Sequence, residues 1–508
     1  MSASVVVRGA VVALAVGSAL IAVQPSAAQA PESLPTVQVE TGTLVGRESN
    51  GVTVYKNIPY AAPPIGPLRW KPPQPAKPWI IERDAGEFGP SCLQVGEPVG
   101  AKGRGAMADP YSEDCLTITV WAPPASAKPA PVMVWLHGGG FRWGGAAKST
   151  YDGAGFARSG VVMVGVNYRV GAFGFFAHPA LTAEAKPDEP LANYGLMDQV
   201  AALQWVKKNI AAFGGDPDNV TIFGESAGAM SVNALLASPS ANGLYHKAIS
   251  ESGPPGPGVS LAKAEAAGVE RVTAAGLTGD VTAEQLRDLP SPYLMDPKRQ
   301  QFPVVVDGRF LKQSTADAFA SGQIPDVPYI VGSNSGESYS VQGLNSAPAD
   351  AVASARPFFG IKDEAVLGSE VLTDMGMGFR SRVAARAASG GQPTYLYFYS
   401  YVDEKKRPTI PVARHAAEVP YVFDTLDRSF WGGEVTAGDQ KMADLMHGCW
   451  VAFAKTGTPC TPGVWPAYNA KTDKLLEFGA DGAVVRTSFR KARYDWAERW
   501  AAEHSSSR

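Results

Sequence analysis

A serine set between small residues, Gly224-Glu225-Ser226-Ala227-Gly228, follows the apolar run Val220–Phe223 and precedes a helix-compatible stretch, 229–236. A serine hydroxyl is a weak nucleophile until a base takes its proton and amide donors meet the charge that grows on the substrate oxygen. A tight strand-to-helix turn lifts the serine clear of its neighbours. Crowding at such a turn demands small residues two positions before and after it, where Gly224 and Gly228 stand. Upstream, His137-Gly138-Gly139-Gly140-Phe141 follows another apolar run, Val132–Leu136. Consecutive glycines let the backbone come close to a substrate with its N–H groups turned inward. Gly139 and Gly140, with the amide of Ala227, are the expected oxyanion donors. The chemistry these residues suit is acyl transfer through a covalent intermediate on Ser226.

Such a serine needs a base, and the chain has six histidines. His137 belongs to the glycine motif and His178 precedes the serine. His246 follows it closely, beside the apparent strand Lys247–Glu251. His447 sits in a helical pattern next to Cys449, and His504 is in the tail. Where the chain order is nucleophile, acid, base, His415 is the expected base. The acid that orients it should follow a strand between Ser226 and His415. Glu337, after the apolar run 328–332, is the expected acid. Asp307, after Val304–Val306, is the competitor.

The elements that must hold these residues have the rhythm of an α/β sheet. The short apolar runs 132–136, 161–166, 220–223 and 329–331 suit strands buried on both faces. Ala202, Trp205, Val206, Ile210 and Phe213 recur at helical spacing between Asp198 and Phe213, and Gly214-Gly215-Asp216-Pro217 ends that pattern. Strands alternating with helices predict a mostly parallel central sheet with helices on both faces. Segments 255–325 and 340–390 read as helical excursions over the sheet's carboxyl edge, where ligands bind in such folds. The Pro-rich stretch 59–79 reads as an extended surface segment.

The chain of 508 residues has a formal net charge of −3 and no Lys/Arg run, which argues against a nucleic-acid partner. Residues 1–30 read as a signal peptide: Arg8, the apolar segment Gly9–Val23, then small residues fitting cleavage after Ala28 or Ala30. That segment is short of a membrane span, and no later one is long enough, so the expected protein is secreted or periplasmic. Residues 31–503 are expected to form one domain, with a frayed tail at 504–508. Four cysteines permit three pairings. Joining nearest neighbours, Cys92 to Cys115 and Cys449 to Cys460, is the simplest in an oxidising compartment, with free thiols the alternative for the second pair. No C-x-x-C spacing occurs, and neither metal nor cofactor is expected. Nothing specifies an oligomeric state.

The chain resembles the type-B carboxylesterase/lipase family, which includes the cholinesterases, over about residues 36 to 500. Glu113–Trp121 is similar to the family's cysteine-containing signature. Asn193–Gln199 and Phe213–Pro217 lead into the serine motif as they do in that family, and His415 with Glu418–Tyr421 is similar to its histidine block. The resemblance implies an α/β-hydrolase fold and a small-molecule carboxylic ester as substrate. It also implies Glu337 as the acid, although the usual Asp-Glu-Gly is here Gly336-Glu337-Ser338, and a Cys92–Cys115 disulfide. Between those cysteines there is no tryptophan, the residue that binds quaternary ammonium in cholinesterases, so choline esters are not expected. Amide hydrolysis on the same triad is the alternative. A non-catalytic relative would have lost the serine or histidine, and both are present.

Overall fold

Along the strand Ala130–Leu136, Val132, Val134 and Leu136 point into one core while Met133 and Trp135 point into another, in this computed structural model. All five are fully buried. A strand without a wet face must be covered on both sides, and that requirement dictates the architecture. The structure describes residues 1–7, 9–10, 34–49, 51–95, 111–295, 301–340, 343–344, 346–429 and 432–504. Most of the expected signal segment, and tail residues 505–508, lie outside the described residues. Residues from Pro35 onward form one compact unit and Met1–Leu34 another.

The central sheet has eleven strands. In chain order they are β1 (Arg47–Ser49), β2 (Val52–Pro59), β3 (Thr117–Ala122), β4 (Ala130–Leu136), β5 (Val162–Val166), β6 (Gly215–Glu225), β7 (Lys247–Glu251), β8 (Tyr329–Asn334), β9 (Thr394–Tyr399), β10 (Lys474–Gly479) and β11 (Gly482–Thr487). In space the order is β11-β10-β9-β8-β7-β6-β4-β5-β3-β2-β1. Every pairing from β5 through β4 and β6 to β10 is parallel. The pairings outside that span, at both edges, are antiparallel.

Helices cover both faces. One core takes Leu196, Leu203 and Val206 from α1 (Tyr194–Asn209) and Val232 and Leu235 from α2 (Ala227–Ala237). The excursions carry α3 (Leu261–Ala274), α4 (Ala349–Phe359), α5 (Glu364–Thr373) and α6 (Phe379–Ala388). The opposite core takes Met446, Trp450 and Phe453 from α7 (Ala437–Thr456). Trp135 lies at its centre, with ring centroids 4.8 Å from Phe223 and 4.9 Å from Phe423. Truncating a side chain so enclosed costs about 3–5 kcal/mol. The last helix, α8 (Lys491–Glu503), packs Tyr494 and Trp496 against Ala351, Ala355, Leu367 and Val371 in a third cluster.

Two expectations need correction. Helix α1 begins at Tyr194, four residues before the periodic pattern, because Asp198 and Gln199 are as buried as Leu196 and leave no polar stripe to mark the first turn. Asp198 survives there in a bidentate pair with Arg169, at 2.7 and 2.8 Å, both nearly solvent-free. Breaking such a pair costs about 3–5 kcal/mol. The Pro-rich stretch is not wholly at the surface: Trp70 is buried and donates its indole N–H to the Ala172 carbonyl at 2.7 Å.

Candidate active site

Strand β6 passes directly into α2, and Ser226 alone makes the corner, at φ 56° and ψ −121°. A residue with a Cβ held there stores about 1–3 kcal/mol of strain. The corner is fixed from below, where the Ser226 amide donates to the Glu251 carbonyl of β7 at 2.9 Å. A Cβ on Gly228 would stand 1.9 Å from the Leu136 oxygen, and one on Gly224 would stand 2.5 Å from it. Those contacts are the steric reason for both glycines.

The glycine loop leaves the end of β4 beside this corner. A Cβ on Gly138 would be 3.3 Å from that of Ser226. Gly139 and Gly140 take φ 112° and 62°, and their N–H groups, like that of Ala227, donate to no acceptor among the described residues. Orphaned amides at helix starts and loops are sites for negative charge. The loop is braced: Tyr168 donates to the His137 carbonyl at 2.5 Å and stacks on its ring, and Gln94 bonds Gly144 through both ends of its amide. Gln94 also donates to the Cys92 carbonyl, beside the Cys92–Cys115 disulfide. Burial pushes His137 down to about 4, so it is neutral and serves packing.

His415 lies across from the corner, and its Nδ1 meets Glu337 Oε2 at 2.6 Å. The other Glu337 oxygen accepts from the Asn334 amide at 2.7 Å. The two loops are joined by backbone and side-chain bonds: Gly336 N–H donates to the Ala413 carbonyl, Ala413 N–H to the Ser335 hydroxyl, and the Asn334 side chain to the Arg414 carbonyl. Ser338, the departure from the usual glycine, has its own receptor in α5. Its hydroxyl donates to the Ser369 carbonyl at 2.8 Å, and its amide reaches Thr373 Oγ1 at 3.2 Å.

The competitor, Asp307, is elsewhere in a turn. Its carboxylate accepts from the amides of Leu191, Arg309, Phe310 and Leu311. The remaining histidines also have local partners. His178 accepts from Ala180, His246 accepts from Val220, His447 spans Val422 and Ser159, and His504 stacks on Trp500.

Three further buried carboxyls that the sequence reading did not single out cluster here: Glu225 beside His415, and Glu251 and Glu418 neighbouring Glu225. Glu225 Oε1 is 3.1 Å from His415 Nε2, and no hydrogen bond joins that nitrogen to Ser226. Glu251 pairs in register with Glu225 on the next strand, is fully buried, and accepts from the Trp450 indole at 2.7 Å through one oxygen. Its other oxygen has no hydrogen-bond partner among the described residues. Glu418, also fully buried, accepts from Asn334. Burial first, and then repulsion among neighbouring acids, raises all three above the usual carboxylate range. Burial alone would lower His415, but attraction to Glu225 and Glu337 outweighs it and the imidazole is raised. These acids come from separate elements, and only the fold brings them together. The one local signal was Glu225, within the serine motif itself.

Both nearest-neighbour disulfides, Cys92–Cys115 and Cys449–Cys460, are present. Among the described residues no helix is long and apolar enough to cross a membrane.

Comparison with known proteins shows the family of the chain. The carboxylesterase family model matches residues 33–357 and 365–497. The para-nitrobenzyl esterase of Bacillus subtilis is 36% identical, over 87% of this chain and 94% of its own length. The fumonisin B1 esterase of Sphingopyxis macrogoltabida is 34% identical, over 90% of this chain and 88% of its own. A solved PNB esterase structure superimposes with a TM-score of 0.81 at 31% identity, covering 91% of this chain and 99% of that one. With its α/β-hydrolase fold, this chain belongs to the carboxylesterase family and is a carboxylesterase.

Proposed function

We propose that the enzyme cleaves carboxylic esters through an acyl-enzyme on Ser226, with His415 as general base and then acid and Glu337 as the orienting carboxylate. The observation that carries this reading is the 2.6 Å contact between His415 Nδ1 and Glu337, which sets one histidine of six apart beside a strained serine. With Nδ1–H donated to Glu337, Nε2 is left to accept the Ser226 proton. The serine oxygen attacks the ester carbon, and the carbonyl oxygen takes the negative charge toward the N–H groups of Gly139, Gly140 and Ala227. The intermediate collapses as His415 returns its proton to the departing alcohol. Water, deprotonated by the same nitrogen, then releases the acid. Nε2 must exchange the neighbourhood of Glu225 for that of Ser226, a tightening common when substrate fills a site. Amide hydrolysis asks more of the same parts and has no observation in its favour.

The name of the Bacillus subtilis relative makes 4-nitrobenzyl esters a rational first substrate. Ser226→Ala should fold normally, lose nearly all turnover and fail to react with an organophosphorus label. A folded variant with substantial activity would refute the assignment. We further propose that residues 1–30 direct export and that 31–503 are the catalytic domain, readings supported by the charged-then-apolar N-terminus and the two disulfides.

A further inference from the structure

Two residues beyond the proposed oxyanion donor Gly140 stands Arg142, exposed to solvent. Its amide closes the turn of the glycine loop by donating to the Gly139 carbonyl at 3.1 Å. The loop is pinned on its other side by Phe141, buried with its ring centroid 4.6 Å from that of Phe175. The guanidinium folds back over Gly140, where a Cβ would lie 3.2 Å from its Nε and 3.8 Å from its Cζ. Among the described residues this guanidinium has no ion pair, hydrogen bond or aromatic partner. Arg69, Arg169 and Arg287, by contrast, each grip a carboxylate.

We propose that Arg142 is a specificity determinant that receives a carboxylate on the substrate, so that this esterase favours esters carrying a carboxylate a short chain away from the scissile carbonyl. This rests on the reading of Gly140 as an oxyanion donor. An oxyanion sits about 3 Å from its donors, so a guanidinium lying over Gly140 is within a few bond lengths of the reacting carbonyl. Its planar fork matches a carboxylate at two points. The requirement is sharpened by what lies below. Glu225 and Glu337 flank the imidazole at 3.1 and 2.6 Å, and an anionic substrate approaching them is favoured by a cation beside it. Lys148 adds a second positive charge acting on Glu225.

The carboxylate can belong to the acyl or the alcohol half. The test therefore uses two pairs in a pH-stat: monoethyl succinate against its terminal amide, and O-acetylglycolate against its amide. In the wild type, kcat/KM should favour the charged member of at least one pair. Arg142→Gln should lower the charged-to-neutral ratio by about 10- to 100-fold, the range for a hydrogen-bonded charge. Arg142→Lys should recover part of it, and added salt should erode the wild-type ratio. No preference in either pair, or a ratio unmoved by Arg142→Gln in a variant that melts normally, overturns the proposal. Ser226→Ala is run alongside. If it keeps its activity, the catalytic reading fails instead, and the two failures are distinct.

Discussion

The side-chain carboxylates around His415 do different work, and single substitutions separate them. Glu337→Gln keeps a hydrogen-bonding group but favours the wrong tautomer and cannot stabilise the imidazolium. Loss of the analogous carboxylate in a serine protease costs about 10⁴-fold in turnover, and a fall in kcat of that order or somewhat smaller is expected here, with KM little changed. Asp307→Asn, in its turn of four backbone amides, should alter melting temperature more than kcat. The reverse result would move the acid to Asp307. Glu225 raises the imidazole pKa, and only the neutral imidazole accepts the serine proton. Removing that charge in Glu225→Gln should therefore shift the acidic limb of the kcat/KM–pH profile to lower pH. A limb that stays in place would show that Glu225 does not act on the base.

Glu251 gives a stability prediction with a definite sign. Its folded pKa lies above the unfolded value, so its contribution is fully present below about 4.3 and is lost as the pH rises through the folded pKa. Glu251→Gln, whose amide oxygen can still accept from Trp450, removes that pH dependence. The melting temperature of the variant should gain on wild type as the pH is raised from acid to alkaline. A constant difference would mean that the Glu251 carboxyl has the same pKa in the folded and the unfolded chain.

Among the elements, α5 is tied to the site most directly. Ser369 and Thr373 are one helical turn apart and share a face, which is how one helix grips both the amide and the hydroxyl of Ser338. Just beyond them, Asp374 opens a π-helical turn and is held by Arg490 and Arg493 at the start of α8. The loop of Glu337, the proposed acid, is thus referred to the C-terminal helix through a chain of polar contacts. Ser338→Ala should destabilise the protein by about 1–3 kcal/mol and lower kcat several-fold without moving KM. An unchanged kcat at reduced melting temperature would make the contact purely structural.

The same elements show what a sequence can reveal. The serine corner was legible because its requirements are local: an apolar strand, two glycines with no room for a Cβ, and a helix. Glu337 and His415 were reachable by chain order and resemblance. The Ser338 receptor was not legible, since Ser369 and Thr373 are ordinary helix residues until α5 docks. Strand β9, Thr-Tyr-Leu-Tyr-Phe-Tyr after a Gly-Gly pair, carried a strand signal in its aromatic residues that the reading passed over. The buried acids were hidden for a general reason. Nothing along a chain announces that three glutamates from separate elements will share one dry space.

At the scale of the molecule, two opposed cores clasp a sheet whose middle strands deliver Ser226, the glycine loop and Glu337 to the same end. The disulfides reinforce places that matter to this arrangement. Cys92–Cys115 backs the Gln94 brace of the glycine loop, and Cys449–Cys460 ties the end of α7, the helix that supplies Trp450. Bridges of this kind suit an exported protein. N-terminal sequencing of material recovered from outside the cytoplasm should therefore find a chain beginning near Gln29 or Pro31. An intact Met1 would count against export.

The backbone bridge between Gly336 and Arg414 has a further consequence, for the order in which the enzyme comes alive. Everything on the serine side of the site is synthesised by residue 251, while His415, the proposed base, and its docking against the Glu337 loop come later. A nascent or partly refolded chain can thus hold a finished nucleophile corner yet have no means of activating it. During refolding, amide-exchange protection in the parallel strands up to residue 251 should be established before esterase activity returns. Turnover then reports the last closure of the fold and not its first collapse.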